Sequence, residues 1–196
     1  METALEQVRL KQFIDQAMPL KEAEWEAFAA IWLPFAAKRK EVLTRAGETE
    51  RHLYFVLEGV QRSFVDGPGS KEATIVFTYP YSFSGVADSF LTQTPSSCCF
   101  ETLTSSRFLR TSYQQLHNLM QDHSAIKDLV LKLTAFALKG VIERQVEIQC
   151  FSAEEKFRQL LSRSPHVLHL IPHKYLASYL GLDPATFSRL LGTVRI

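Results

Sequence analysis

The side chains best suited to chemistry lie near the end of the chain: Lys174, Thr186, Ser188 and Arg189. A guanidinium can donate two parallel hydrogen bonds to a guanine edge or to a phosphate. Hydroxyls reach phosphate or base edges, and an ammonium neutralises a phosphate. Together these groups suit a double-stranded DNA surface. On an ordinary helical hairpin, the same Arg189 would be one solvated arginine. Ser188 and Arg189 follow Ala185 by three and four residues, which places the three on one side of a helix.

The stretch YLASYLGLDPATFSRLL (175–191) has to position them. Pro172 suits the first turn of a helix, where a missing N–H costs nothing. Leu176, Ala177 and Leu180 then form a buried side, and Ala177 is small enough for a second helix to cross closely. Gly181 permits a left-handed corner, Leu182 plugs it, Asp183 caps the next helix and Pro184 starts it. Phe187 and Leu190 face back onto Leu176 and Leu180. This is the packing grammar of a helix-turn-helix, whose second helix enters the major groove.

Upstream, three textures succeed one another. Residues 3–37 read as helical, with Leu20, Trp25, Phe28, Ile31, Trp32 and Phe35 at three- and four-residue spacing. From Val42 to about Arg110 the runs are short and β-rich: LYFVLEG (53–59), VQRSFV (60–65), a DGPGS turn (66–70), ATIVFTY (73–79), FSG (83–85) and RFLRTSY (107–113). They suggest a β-sandwich or β-roll. Between Ser124 and Gln149, Ile126, Leu129, Val130, Leu133, Ala137, Gly140, Val141 and Ile148 trace one apolar stripe. The helix is either paired in parallel with a copy of itself or laid across its own domain. SAEEKFRQLL (152–161) opens with a capping box, Ser152 and Glu155. SRSPHVLHLIP (162–172) reads as a loop or short hairpin.

Charge follows the same division. Residues 1–152 carry 16 Lys/Arg against 18 Asp/Glu, a net of −2, and residues 153–196 carry 6 against 3, a net of +3. The excess sits where a polyanion-facing module needs it. No apolar run is long enough to span a bilayer, the longest (27–37) containing Pro34. METALEQVRL has no leader-like layout, and three cysteines make no disulfide framework. A reducing cytoplasm is expected.

Helical lead-in, glycine-punctuated β-roll, long helix and C-terminal helix-turn-helix resemble the Crp/Fnr family of bacterial transcription regulators across nearly the whole chain. RAGE (45–48), LYFVLEG (53–59), FSGVADSFLTQTPSS (83–97) and IPHKYLASYLGLDPATFSR (171–189) carry the resemblance, and the last two look most like the branch common in Bacteroidetes. The resemblance implies an α+β fold: N-terminal helices and a double-stranded, jelly-roll-like β-helix (1–123), a dimerisation helix (124–150) and a winged-helix or helix-turn-helix domain (151–196). It also implies a homodimer on palindromic DNA, contact with RNA polymerase, and a small-molecule effector in the roll.

The effector cassette departs from the cyclic-AMP pattern. That pattern has Gly-Glu at the start and Arg-Ser or Arg-Thr near the end. Here Gly85 is followed by Val86, and Ser96-Ser97 stands where Arg-Ser belongs. Without the arginine a buried phosphate loses its bidentate partner, so cyclic AMP in the usual pose is not expected. No spacing argument brings in Arg62 or Arg107 as a replacement. The reading helix is poorly basic, with Ala185 where relatives often carry glutamate, which leaves open a regulatory protein that keeps the fold but reads no DNA.

No cofactor, metal or enzymatic activity is expected. His166, His169 and His173 match no zinc spacing, Cys98-Cys99 would point to opposite faces of a strand, and no cysteine cluster precedes Cys98. A cupin-like metalloenzyme needs histidines and carboxylates converging from strands. Of the histidines, His52 is isolated in the β region, while His117 and His123 fall in the helical section after it.

Overall fold

A computed structural model describes residues 2–67 and 71–194. Helices α1 (Glu2–Ala17) and α2 (Glu22–Ala30) lead into eight strands. These are β1 (Leu33–Ala37), β2 (Val42–Thr44), β3 (His52–Glu58), β4 (Gln61–Gly67), β5 (Lys71–Thr78), β6 (Phe83–Ser84), β7 (Cys99–Thr102) and β8 (Ser106–Ser112), with the short helix α3 (Ala87–Thr92) between β6 and β7. They form two four-stranded sheets, ordered β1-β8-β3-β6 and β2-β7-β4-β5. β1 with β8, β8 with β3, β3 with β6 and β2 with β7 are antiparallel. The result is an antiparallel β-roll. Residues 68–70 of the expected DGPGS turn lie outside the described residues.

The chain divides into two compact units: residues 1–63 with 77–136, and residues 64–76 with 137–196. In the first, Phe55, Leu57, Leu109, Trp25, Phe28, Trp32 and Phe90 form one core with Leu10 and Ile14 of α1. The helical texture expected through residue 37 stops earlier. Phe35 belongs to β1 rather than to a helix, and its Pro34 pairs opposite Leu109. Proline has no N–H to donate to a ladder, and β1 is an edge strand, where the side facing away from β8 needs no donor.

After α4 (Tyr113–Asp122), helix α5 runs Ser124–Cys150. The expected stripe is split between two duties. Ile126 and Leu129 are fully buried in the first unit's own core, with Val130 and Leu133 packed against it. Ala137, Gly140, Val141 and Ile148 are exposed. The exposed apolar face keeps Val141 and Ile148 of that stripe and extends round the helix away from Ile126 and Leu129, and Phe136 and Val146 are exposed beside it. Leu131, Leu138 and Gln145 recur every seven residues, with Thr134, Val141 and Ile148 three after each, and all six are exposed. Ile142, also exposed, flanks them. The spacing is that of a heptad, with Thr134 and Gln145 as its polar positions.

Among its described residues the second unit holds four further helices and a corner. α6 (Ala153–Arg163) starts on the expected capping box, the Ser152 N–H donating to Glu155 Oε2 at 2.7 Å. The segment read as a loop or hairpin contains instead a one-turn helix, α7 (Val167–Leu170), which buries Val167. α8 (His173–Leu180) and α9 (Pro184–Thr193) follow. Among the described residues, 151–194 contain helices and no strand.

Candidate nucleic-acid interface and ligand cassette

Pro172 stands at the N-cap of α8, one residue before the helix. Tyr175, Leu176, Ala177 and Leu180 are buried on its inner side. The corner residue Gly181 has φ +67°, a left-handed conformation that a β-carbon opposes. Its N–H and that of Leu182 return to the carbonyls of Ser178 and Ala177 at 3.0 and 2.9 Å, so the last carbonyls of α8 are not left bare. Asp183 caps α9, accepting from the Thr186 N–H at 2.9 Å. Phe187 and Leu190 are buried, and the Phe187 ring meets Phe157 of α6 edge-on, centroids 5.4 Å apart. These three helices close on one small core.

The four DNA-facing candidates are not equivalent. Ser188 and Arg189 are exposed on α9 beside exposed Ala185, and among the described residues neither side chain is hydrogen-bonded or ion-paired. Lys174 is exposed on α8, its ammonium 4.6 Å from the centre of the Tyr175 ring. Thr186 is half-buried, and its hydroxyl donates to Asp183 Oδ2 at 2.6 Å. Its hydrogen bond serves the cap of α9. That same contact, with the backbone N–H of Thr186, holds the Asp183 carboxyl below its usual range, so this end of α9 carries a full negative charge.

In the roll, Gly85 has φ +113°, and an added β-carbon would lie 3.3 Å from the His52 carbonyl and 3.5 Å from Glu50 Oε2. Glu50 is the residue that sequence reasoning missed. Nothing in ETERH distinguishes it from the solvated acids around it, yet its side chain is buried at the start of the cassette. It accepts from the Thr44 hydroxyl at 2.7 Å, the His52 N–H at 3.2 Å and the Val86 N–H at 3.3 Å. Burial pushes its pKa up, and these donors pull it partly back. A carboxylate oxygen of the chain itself therefore occupies the N–H at residue 86.

The other cassette candidates are engaged locally. Ser96 is buried, its hydroxyl donating to the Cys98 carbonyl at 2.7 Å and accepting from the Cys98 N–H at 2.9 Å. Ser97 is exposed. Arg62 is buried in an ion pair with Glu101 at 2.6 Å, and Arg107 bridges Glu6 at 2.6 Å and Glu58 at 3.0 Å. Both arginines are spoken for. The interior beside Val86 is filled by Tyr54, Phe100, Phe108 and Phe35, with Tyr54 ring centroids 5.3 to 6.0 Å from the other three. Among the described residues, no three His, Cys, Asp or Glu side chains group to hold a metal, and no helix is long and apolar enough to cross a membrane.

Residues 35–123 match the family model of the cyclic nucleotide-binding domain. No curated protein matches the chain. Among solved structures, FixK2 from Bradyrhizobium japonicum superposes with a TM-score of 0.72 at 16% identity, over 83% of each chain. The c-di-GMP-responsive global regulator CLP of Xanthomonas campestris gives 0.64 at 17% identity, over 88% of this chain and 90% of its own. The catabolite activator protein of Thermus thermophilus gives 0.57 at 21%, over 91% and 88%. At these identities the likeness is one of fold.

Proposed function

We propose that the chain is a DNA-binding transcription regulator of the Crp/Fnr type. In this reading it acts in the cytoplasm as a homodimer, paired through the free seam of α5. Residues 1–123 serve as the sensor-derived roll, 124–150 as the dimer helix and 151–196 as the reading domain. The observation that carries the reading is the α8–Gly181–α9 corner, packed on α6, with Arg189 and Ser188 exposed on its outer helix and unpaired among the described residues. Arg189 takes a guanine edge or a phosphate, Ser188 a base edge or phosphate, and Lys174 a phosphate. Thr186 contributes by fixing the cap. Across a parallel dimer the two α9 helices meet the duplex ~34 Å apart, one turn of DNA. Contact with RNA polymerase belongs to the same reading.

The cassette does not take cyclic AMP in the usual pose. The guanidinium partner for the phosphate is missing, the Glu50 carboxyl already takes the Val86 N–H, and the aromatic rings fill the interior. A second reading, a regulator that keeps the fold without reading sequence, is favoured by the poorly basic reading helix, in which Arg189 is the one basic side chain of α9.

Selection of the purified protein against a randomised duplex pool at near-physiological salt separates the two. An enriched palindrome with half-sites one turn apart is the expected result. Arg189→Ala should then weaken the selected duplex by about 1–3 kcal/mol, roughly five- to hundredfold. Unchanged affinity would remove Arg189 from the interface, and absence of any enrichment would favour the second reading.

A further inference from the structure

The second unit contains a buried ionic cluster whose position matters more than its charge. Glu147, on the last turns of α5, is almost completely buried. One of its oxygens takes the Arg144 guanidinium at 3.0 Å, and the other takes Arg163, in the last turn of α6. Arg144 also donates to the Tyr179 carbonyl in the last turn of α8, and its guanidinium lies 4.0 Å over the Tyr179 ring. Its Nε is buried with no hydrogen-bond partner among the described residues. Helices α5, α6 and α8 thus meet at the Arg144–Glu147 pair, α6 through Arg163 on the carboxylate and α8 through Tyr179 on the guanidinium, two residues before Gly181.

Buried ion pairs contribute little net stability, because desolvation offsets most of their attraction, and apolar residues of equal volume often hold a core as well. What such a pair adds is direction. Glu147 accepts along fixed axes, and the Arg144 fork meets carboxylate, carbonyl and ring at once. On the helix wheel, Glu147 lies nearly opposite the seam of Leu138, Val141, Ile142 and Gln145. α5 therefore carries the free seam on one side and the grip on α6 and α8 on the other. An apolar contact in its place would allow α5 to roll or slide against α6 and α8.

We propose that Glu147, held between Arg144 and Arg163, is a positioning residue that fixes the angle between the α5 seam and helix α9, and so the half-site spacing that a dimer accepts. This rests on the DNA-reading function proposed above. The assay measures binding to the selected palindrome, to the same sequence with one or two base pairs inserted at its centre, and to a single half-site. Two base pairs rotate one half-site by ~70° about the duplex. The proteins are the wild type, Glu147→Gln, and the double variant Arg144→Met/Glu147→Leu, which fills the cluster without a buried charge. Melting temperature and dimer mass are checked for each.

Wild type should lose at least about tenfold on the two-base-pair insertion. The folded, dimeric Met/Leu variant should bind the single half-site like wild type, with its spacing preference flattened to within about threefold. Glu147→Gln should melt lower and lose the preference too wherever it folds. A folded, dimeric Met/Leu variant with the wild-type spacing profile overturns the proposal while leaving DNA reading intact. Wild type that selects no duplex overturns both, and is recognised by failure in the first arm.

Discussion

Leu138→Ala tests the α5 seam. Leu138 is 58% exposed in the single chain, so just over half of its side chain is available to a partner. Leucine exceeds alanine by three carbons, worth about 2.4 kcal/mol at ~0.8 kcal/mol per buried carbon. Scaled by the exposed fraction this is ~1.4 kcal/mol per protomer, and symmetry doubles it to ~3 kcal/mol per dimer. Dimerisation should weaken about a hundredfold. The fold of each protomer should be unaffected, because this side chain does not belong to the roll's core, unlike Ile126 and Leu129 of the same helix. Sedimentation velocity across a concentration series reads the shift directly, with circular dichroism as the control on folding. A dimer constant unchanged within threefold, in a folded protein, would mean that α5 pairs through another face or not at all.

Gly181→Ala should cost only the backbone penalty of a left-handed alanine, about 1–2 kcal/mol, because its β-carbon would meet nothing within 4 Å. A much larger loss of melting stability would show that the corner is more crowded than this geometry allows. Glu50 gives a pH signature. Burial raises its carboxyl, so the folded chain keeps that proton after the unfolded chain has released it, and stability from this group declines as pH rises above 4.5. Denaturant titrations from pH 4.5 to 7.5 should show wild type losing stability relative to Glu50→Gln, and a constant difference would contradict the assignment. Calorimetry with cyclic AMP should give no heat of binding, whereas a tight stoichiometric isotherm would mean that Glu50 and the aromatic interior can be displaced.

What was legible in the sequence had local causes. The capping box at Ser152 and Glu155, the cap at Asp183 and the left-handed Gly181 each depend on residues within a turn of one another, and each stands as read. The stripe of α5 was half legible. Periodicity identifies apolar positions but not which body covers them, so Ile126 and the exposed Val141 looked alike. Phe35 followed the helical spacing of the residues before it, and only pairing with β8, more than seventy residues later, makes it a strand. Glu50 had no sequence signal because its donors come from Thr44 and from the backbone N–H of Val86, 36 residues on. The engagement of Ser96 and Thr186 was likewise invisible. A hydroxyl near a site reads the same whether it faces a ligand or closes a turn.

One contact bears on how the chain is made. The Ser178 hydroxyl on α8 accepts from the Thr74 N–H at 2.9 Å and donates to the Glu72 carbonyl at 3.2 Å, satisfying the outer edge of β5. The two partners of the first bond are 104 residues apart. At a synthesis rate of about 5–20 residues per second, β5 emerges from the ribosome some 5–20 s before the helix that finishes its edge. For that interval exposed Ile75 and Val76 flank an open strand, the kind of edge that recruits a second nascent chain. Because residues 64–76 belong to the same compact unit as 137–196, that unit cannot be completed until α8 has been translated. Truncations ending before α8 should therefore aggregate during synthesis more than their length or composition would suggest.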